Sequence, residues 1–299
     1  MEFKQLLYFT KVAELGSFTR AAEILHVSQP VLSRHVRQLE VELRQNLLLR
    51  NGRGVTTTEA GELLLEHSRG ILHQVERAQE EMGRIKGRLA GRVTVGLPPS
   101  LARLMALRLT REFKRRLPKA RLSISEGLSA TMTEWLRAGR LDIALVHNTL
   151  PSSEFTITPL GVEPLYVVSA KTAAPKTSAI DYALLAKLPL ILPNHPHAIR
   201  SLLEAQLSKQ GLEPTITLEI DGIPAILDLV ADGAGHALLT RHAVDTSMQP
   251  SSYSMSPIAA PGFSSQLFMA TTSGRATTLT QQAVMELIRE ISAEVFANS

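Results

Sequence analysis

Early in the chain, apolar positions recur with helical spacing; later the rhythm mixes strands and helices. Leu6, Leu7, Phe9, Thr10 and Ala13 predict a helix from Phe3 to about Leu15, ended by Gly16. Phe18, Ala21, Ala22 and Leu25 fall at i, i+3, i+4 and i+7. They predict a second helix, capped by Ser17 or Thr19, whose small Ala21 and Ala22 admit a close neighbour. A third helix runs from about Gln29 to Leu43, with Val31 (or Leu32), Val36 and Leu39 facing inward. Ser28 is its expected N-cap, and Pro30 stands in the first turn, where a missing N–H costs nothing. Only His26 and Val27 separate the second and third patterns. Helices across so short a turn make Phe18–Arg37 a helix-turn-helix, whose second helix enters the DNA major groove N-terminus first. Gln29, Ser33, Arg34 and Arg37 on its outer face can bond base edges and phosphates, with no acid among them before Glu40. A plain helical hairpin with a polar face is the alternative.

Leu48–Arg50 and Val55–Thr57 read as short strands joined by Asn51-Gly52-Arg53-Gly54, a hairpin or wing with Arg53 at its tip. Thr58 caps a long helix to about Leu89, with Glu59 and Glu62 at its positive end and Arg84, Lys86 and Arg88 at the other. Leu64, Ile71, Ala78 and Ile85 recur every seven residues, and Val75, Met82 and Leu89 follow Ile71, Ala78 and Ile85 by four. That is a coiled-coil seam along a rod of about 45 Å, and it predicts a homodimer. Packing against the chain's own C-terminal part is the alternative.

From Gly91 the pattern changes. Arg92–Leu97, Leu122–Ser125 and Asp142–Val146 read as strands, alternating with helices Pro98 to about Leu117 and Ser129 to about Ala138. This order implies a parallel sheet with right-handed crossovers. Ile157–Leu160 and Leu165–Ser169 read as two further strands. A second unit follows, with helices near Asp181–Ala186, His197–Lys209 and Pro224–Ala231 and strands Leu188–Leu192, Thr215–Ile220 and His236–Leu239. Gln266–Thr272 and a closing helix Thr277–Ala297 return to the first. The predicted division is 1–58, 59–90 and 91–299, the last split into 91–165 with 266–299 and a second part, 166–265.

Composition sharpens this. The net charge is +4, and Met1–Thr58 carries eight Lys/Arg against five Glu, so most of the excess lies in the helix-turn-helix part. The chain has no cysteine, which excludes disulfides, thiolate metal sites and a Cys nucleophile. No signal peptide is visible and no apolar run could span a bilayer, so a cytoplasmic location without membrane contact is expected.

Ala21-Ala22, Leu25, Val27-Ser28-Gln29-Pro30, Leu32-Ser33, Leu39-Glu40, Leu43, Arg50 and Thr58-Glu59-Ala60-Gly61 together closely resemble the LysR-type transcriptional regulators of bacteria. The likeness extends over nearly the whole chain. Leu47–Arg50 with Arg53–Val55 is similar to the branch that includes the nitrogen-assimilation regulators. In two places the chain departs: the family's usual Leu-Gly after the recognition helix is Leu43-Arg44, and its usual Leu-Phe is Leu47-Leu48. The resemblance implies an α/β protein with an all-α-dominated winged helix-turn-helix and a long dimerising linker helix. The C-terminal domain would be periplasmic-binding-protein-like, with two Rossmann-like subdomains. It implies double-stranded promoter DNA as partner, contacted through Gln29, Pro30, Ser33 and Arg34, with Arg37, Arg50 and Arg53 on phosphates. It also implies a homotetramer and a small-molecule effector between the subdomains; RNA polymerase stays open as a further partner.

Ligands of open parallel sheets bind beyond the strands' C-terminal ends, at helix N-termini. Those edges are Pro98–Leu101, Gly127–Thr131, Val146–Asn148, Asp221–Ile223 and Asn194–His197. They nominate Ser100, Leu101, Ser129, Thr131, His147, Asn194, His195, Arg200 and Ile223. Ser100 and Ser129 are expected to cap helices while offering hydroxyls. Helix N-termini attract anions, and His147, His195, His197 and Arg200 can add positive charge, so a small anionic metabolite such as a carboxylate or phosphate is expected; an ordinary cap is the plainer reading of each serine, and surface or hinge polarity that of each histidine.

Other chemistry is weakly represented. His195-Pro196-His197 without a placed carboxylate is a poor metal site. Ser100, Asp142 and His147 lack a nucleophile-elbow motif, and no phosphate-binding glycine loop is present. No cofactor is expected, and an enzyme or a solute-binding protein with an accessory helical module remain the rival classes.

Overall fold

The computed structural model describes residues 1–51, 54–83, 91–148, 152–173 and 179–296. The chain forms two compact units, one of Met1–Arg88 with Ala138–Arg140, the other of Leu89–Arg137 with Leu141–Ser299.

The first unit begins with α1 (Phe3–Leu15), α2 (Phe18–Leu25) and α3 (Gln29–Leu43). A hairpin of β1 (Leu48–Asn51) and β2 (Gly54–Thr57) follows, then the long helix α4 (Glu59–Gly83). Phe9, Val12, Phe18, Ala21, Leu32, Val36, Leu39 and Leu47 form its core. The inward residue of the first α3 turn is Leu32, while Val31 is exposed. Gly16 takes the left-handed conformation that ends α1, with φ 61°. Its carbonyl accepts the Val55 N–H at 2.9 Å, tying the α1–α2 corner to the hairpin. Ser28 stands at the α3 N-cap position, but its hydroxyl makes no cap bond. Arg44 takes the left-handed place at the other end, φ 53°, and fixes the helix terminus at Leu43. The start of α4 is fixed by Thr58, whose hydroxyl accepts the Gly61 N–H at 3.0 Å and donates to the Asn46 carbonyl at 2.7 Å. A Cβ on Gly61 would come within 2.0 Å of the Leu47 oxygen, so glycine alone lets α4 press on the hairpin.

The second unit carries β3 (Gly91–Leu97), α5 (Pro99–Arg116), β4 (Ala120–Glu126), α6 (Ser129–Arg137), β5 (Ile143–His147) and β6 (Phe155–Ala170). Then come α7 (Tyr182–Lys187), β7 (Leu190–Leu192), α8 (Ala198–Ser208), β8 (Ile216–Glu219), α9 (Ile223–Ala231), β9 (Ala237–Thr240) and α10 (Arg241–Asp245). It closes with β10 (Tyr253–Pro257), β11 (Ser264–Thr272) and α11 (Leu279–Phe296). β3 pairs in parallel with β4 and β5, as the alternating pattern predicts. Two strands expected at Ile157–Leu160 and Leu165–Ser169 are instead one strand, β6. Its first half pairs antiparallel with β11 and its second half with β9 and β10. The sheet is therefore mixed. β6 and β11 carry the chain between two halves, with contact continued by the Leu165 N–H to the Phe263 carbonyl at 2.9 Å.

Each half buries both sheet faces. In the first, α5 and α11 cover Val93, Val95, Ile143 and Leu145, and α6 covers Ala144 and Val146 from the other side. In the second, α7 and α8 pack on Leu165, Val167 and Leu190, and α9 and α10 on Val168, Ile191 and Leu239. The C-terminal ends of β3, β4 and β5 thereby face those of β7, β8 and β9 across a cleft lined from both halves.

Candidate functional site

α3 is held by its inner row, Leu32, Val36 and Leu39, which are almost fully buried. The geometry of a helix then leaves Arg34 and Arg37 exposed, with Gln29 and Ser33 half-buried beside them and Pro30 exposed at the start. Arg50 reaches back from β1: its guanidinium stacks 4.2 Å from the Phe18 ring centroid and donates to Ser33 Oγ at 2.8 Å. Two residues far apart in sequence thus form one polar surface on the recognition helix. Arg37 pairs with Glu40 at 3.5 Å. Glu40 also accepts the backbone N–H groups of Leu47 and Leu48, at 2.9 and 3.3 Å, so it fixes where the hairpin leaves the helix. Arg53 lies outside the described residues, as do Ile85 and Leu89 of the seam and Arg84, Lys86 and Arg88. Of the remaining seam, Leu64 is partly buried and packs against the helical core. Ile71 and Met82 are 40% and 71% exposed.

The cleft of the second unit holds a cavity of about 400 Å³. Ser100, Ser129, His147 and Ile223 line it, joined by Arg103, Glu126, Glu163, His197, Asp221, Thr240 and Ser265. Leu101 is instead buried in the core of the first half, because it follows Ser100 on the inner side of α5. Thr131 and Asn194 are not among the lining residues; the Asn194 backbone and side-chain N–H groups both go to Asp221 Oδ1, at 2.9 and 3.1 Å. His195 turns to Glu204 at 3.1 Å. Arg200 is buried away from the cavity, bonded to Glu204 at 2.9 Å, to Glu219 and to the Pro193 carbonyl. Its charge is consumed by the protein's own acids.

The two serines are not caps. α5 starts at Pro99, after an N-cap at Pro98, which puts Ser100 inside the first turn. Ser129 Oγ accepts the His147 N–H at 3.0 Å and so couples α6 to the end of β5. His147 Nδ1 lies 3.0 Å from Ser265 Oγ. Burial, reinforced by the neighbouring His197, pushes the His147 imidazole down to about 4. Burial lowers His197 too, against the raising influence of Asp221. At neutral pH neither histidine supplies the positive charge expected to add to that of the helix N-termini. The other ionisable lining residues are one arginine, Arg103, and three acids, Glu126, Asp221 and Glu163, the last raised by burial to about 7. Sequence reading missed Arg103, Glu126 and Glu163; the signal for Glu163 was its isolation, since no other charged residue occurs from Phe155 to Ala170.

Among the described residues, no helix is long and apolar enough to cross a membrane, and no group of three or more metal-ligating side chains could hold a metal ion.

Residues 3–62 match the family described as bacterial regulatory helix-turn-helix protein, lysR family. Residues 86–293 match the LysR substrate binding domain. The nitrogen assimilation regulatory protein nac of Klebsiella aerogenes is 32% identical over 96% of this chain and 94% of its own. That of Escherichia coli K12 is 32% identical over 97% and 95%. A full-length OxyR variant from Pseudomonas aeruginosa superposes with a TM-score of 0.70 at 26% identity, covering 98% of this chain and 95% of its own. These relatives are regulators and not enzymes. With the recognition helix and the cleft domain both matched, the chain belongs to the LysR-type transcriptional regulators and is a DNA-binding regulator with an effector-binding domain.

Proposed function

We propose that α3 reads a promoter while a small molecule in the cleft sets the outcome. Gln29, Pro30, Ser33 and Arg34 contact bases or phosphates, and Arg37, Arg50 and Arg53 hold phosphates. The observation that carries this reading is the exposed Arg34 and Arg37 beside the Arg50–Ser33 contact, on a helix anchored by its opposite row. Residues 1–58 act as the DNA-binding domain, 59–90 as the dimerising linker and 91–299 as the effector domain, divided between 165 and 166 and again between 265 and 266. Four linked copies give a cytoplasmic homotetramer, and closure of the cleft changes the angle between the DNA-binding heads. RNA polymerase is the further partner through which activation would pass.

A mobility-shift assay on DNA adjoining the protein's own gene tests the interface. Gln29→Ala, Ser33→Ala and Arg34→Ala should each weaken binding to that DNA. Unchanged affinity in all three removes α3 as the reading element. Arg53→Ala should weaken all sequences alike and lower the salt slope by about one.

A further inference from the structure

Glu163 lacks a partner equal to its burial. It is 4% exposed, on β6 where the strand passes from one half of the effector domain to the other, and it lines the cavity. Its nearest ion-pair group among the described residues is His242 Nε2 at 3.8 Å, beyond hydrogen-bond distance. Burial holds that imidazole toward neutrality. A carboxylate so placed needs a donor, and the open side is the cavity.

The other lining groups favour a cation. Helix N-termini meet here, but prolines thin their donors and one further N–H is turned to a side chain. Pro99 and Pro224 have no N–H, and the Ile199 N–H goes to His197 Nδ1 at 3.3 Å. Glu126 and Asp221 add negative charge against the exposed Arg103. Leu128, Ile199, Ile223 and Leu239 supply an apolar wall.

We infer that the effector is a small organic ammonium compound whose protonated nitrogen sits on Glu163 and whose hydrocarbon body lies on that wall. This rests on the cavity being the effector site.

Hexylammonium, hexan-1-ol and hexanoate share one length and differ in charge. Calorimetry of the full-length protein at pH 8 should show hexylammonium binding about tenfold tighter than either other probe. Glu163→Gln should remove the preference and leave hexan-1-ol unchanged. Should that variant fail to fold, the wild type decides. Lowering the pH from 8 to 6 should weaken hexylammonium, and not hexan-1-ol, as Glu163 takes up its proton. The groups facing Glu163 are His242 on α10, and His147, His197, Asp221, Glu126 and Arg103 around the cavity; a His242→Gln protein should keep the same profile. A preference for hexanoate, a preference surviving Glu163→Gln, or no binding of any probe overturns the ammonium. Hexanoate binding that Ile223→Trp blocks overturns it while keeping the cavity as the effector site. Hexylammonium binding that Ile223→Trp leaves intact overturns both.

Discussion

Single side chains here do work that their neighbours in sequence do not announce. Arg44 occupies a left-handed position at the end of α3 that glycine fills without strain. Arg44→Gly should therefore raise stability by about 1 kcal/mol in urea denaturation, with no change expected in the fold. Gly61→Ala should do the reverse, lowering stability by about 1–3 kcal/mol, because its Cβ has no room beneath Leu47. Titration gives a sharper case. His147 holds its proton less tightly folded, at about 4, than its ordinary 6.5, so its contribution to stability fades as pH falls through that window. Glu163 is raised by burial from 4.5 to about 7, so its contribution is full below 4.5 and is lost as pH rises through 7. Across pH 6.5 to 8 the histidine contributions are common to the wild type and Glu163→Gln and cancel in the comparison. Thermal melts should show the wild type losing stability relative to Glu163→Gln across that range; parallel pH profiles would contradict the buried carboxyl. Neither burial was legible in the sequence, because each arises from β11, distant in the chain, being laid between β5 and β6. Arg200 was misread for a related reason: its partner Glu204, four residues on, was visible, but Glu219 comes from another strand.

Elements with a clear period were the legible ones. The helices of the first unit and the β3-α5-β4-α6-β5 run follow from spacing, caps and the 3.6-residue rhythm. β6 did not. Pro159, Gly161 and Pro164 punctuate it as though it were two strands. Pro159 is accommodated opposite Phe268, beside an irregularity in the β11 register, and Gly161 leaves room for the Phe296 ring that a Cβ would meet at 2.7 Å. Pairing on both edges thus overrode the local signal. α10 and β10, each five residues long, were missed. Along the expected seam of α4, Leu64 packs partly buried against the core of its own unit, while Ile71 and Met82 are exposed. If those residues meet a second copy, Ile71→Glu should shift the protein toward monomer in sedimentation velocity. An unchanged mass would place the dimer contact elsewhere.

The whole molecule joins a DNA-binding part to an effector-binding one. If the proposed dimer is two-fold, it presents two α3 helices, and its preferred DNA should be a pair of inverted half-sites at a fixed separation. Phosphate contacts give affinity without sequence, and only contacts to base edges make one duplex differ from another. Selection of bound duplexes from a randomised pool, run in parallel with wild type and with Ser33→Ala and Arg34→Ala, measures that difference directly. The account predicts an inverted repeat for the wild type, with preference lost or changed at the same half-site positions in the variants. An identical consensus and equal affinity for all three proteins would contradict it.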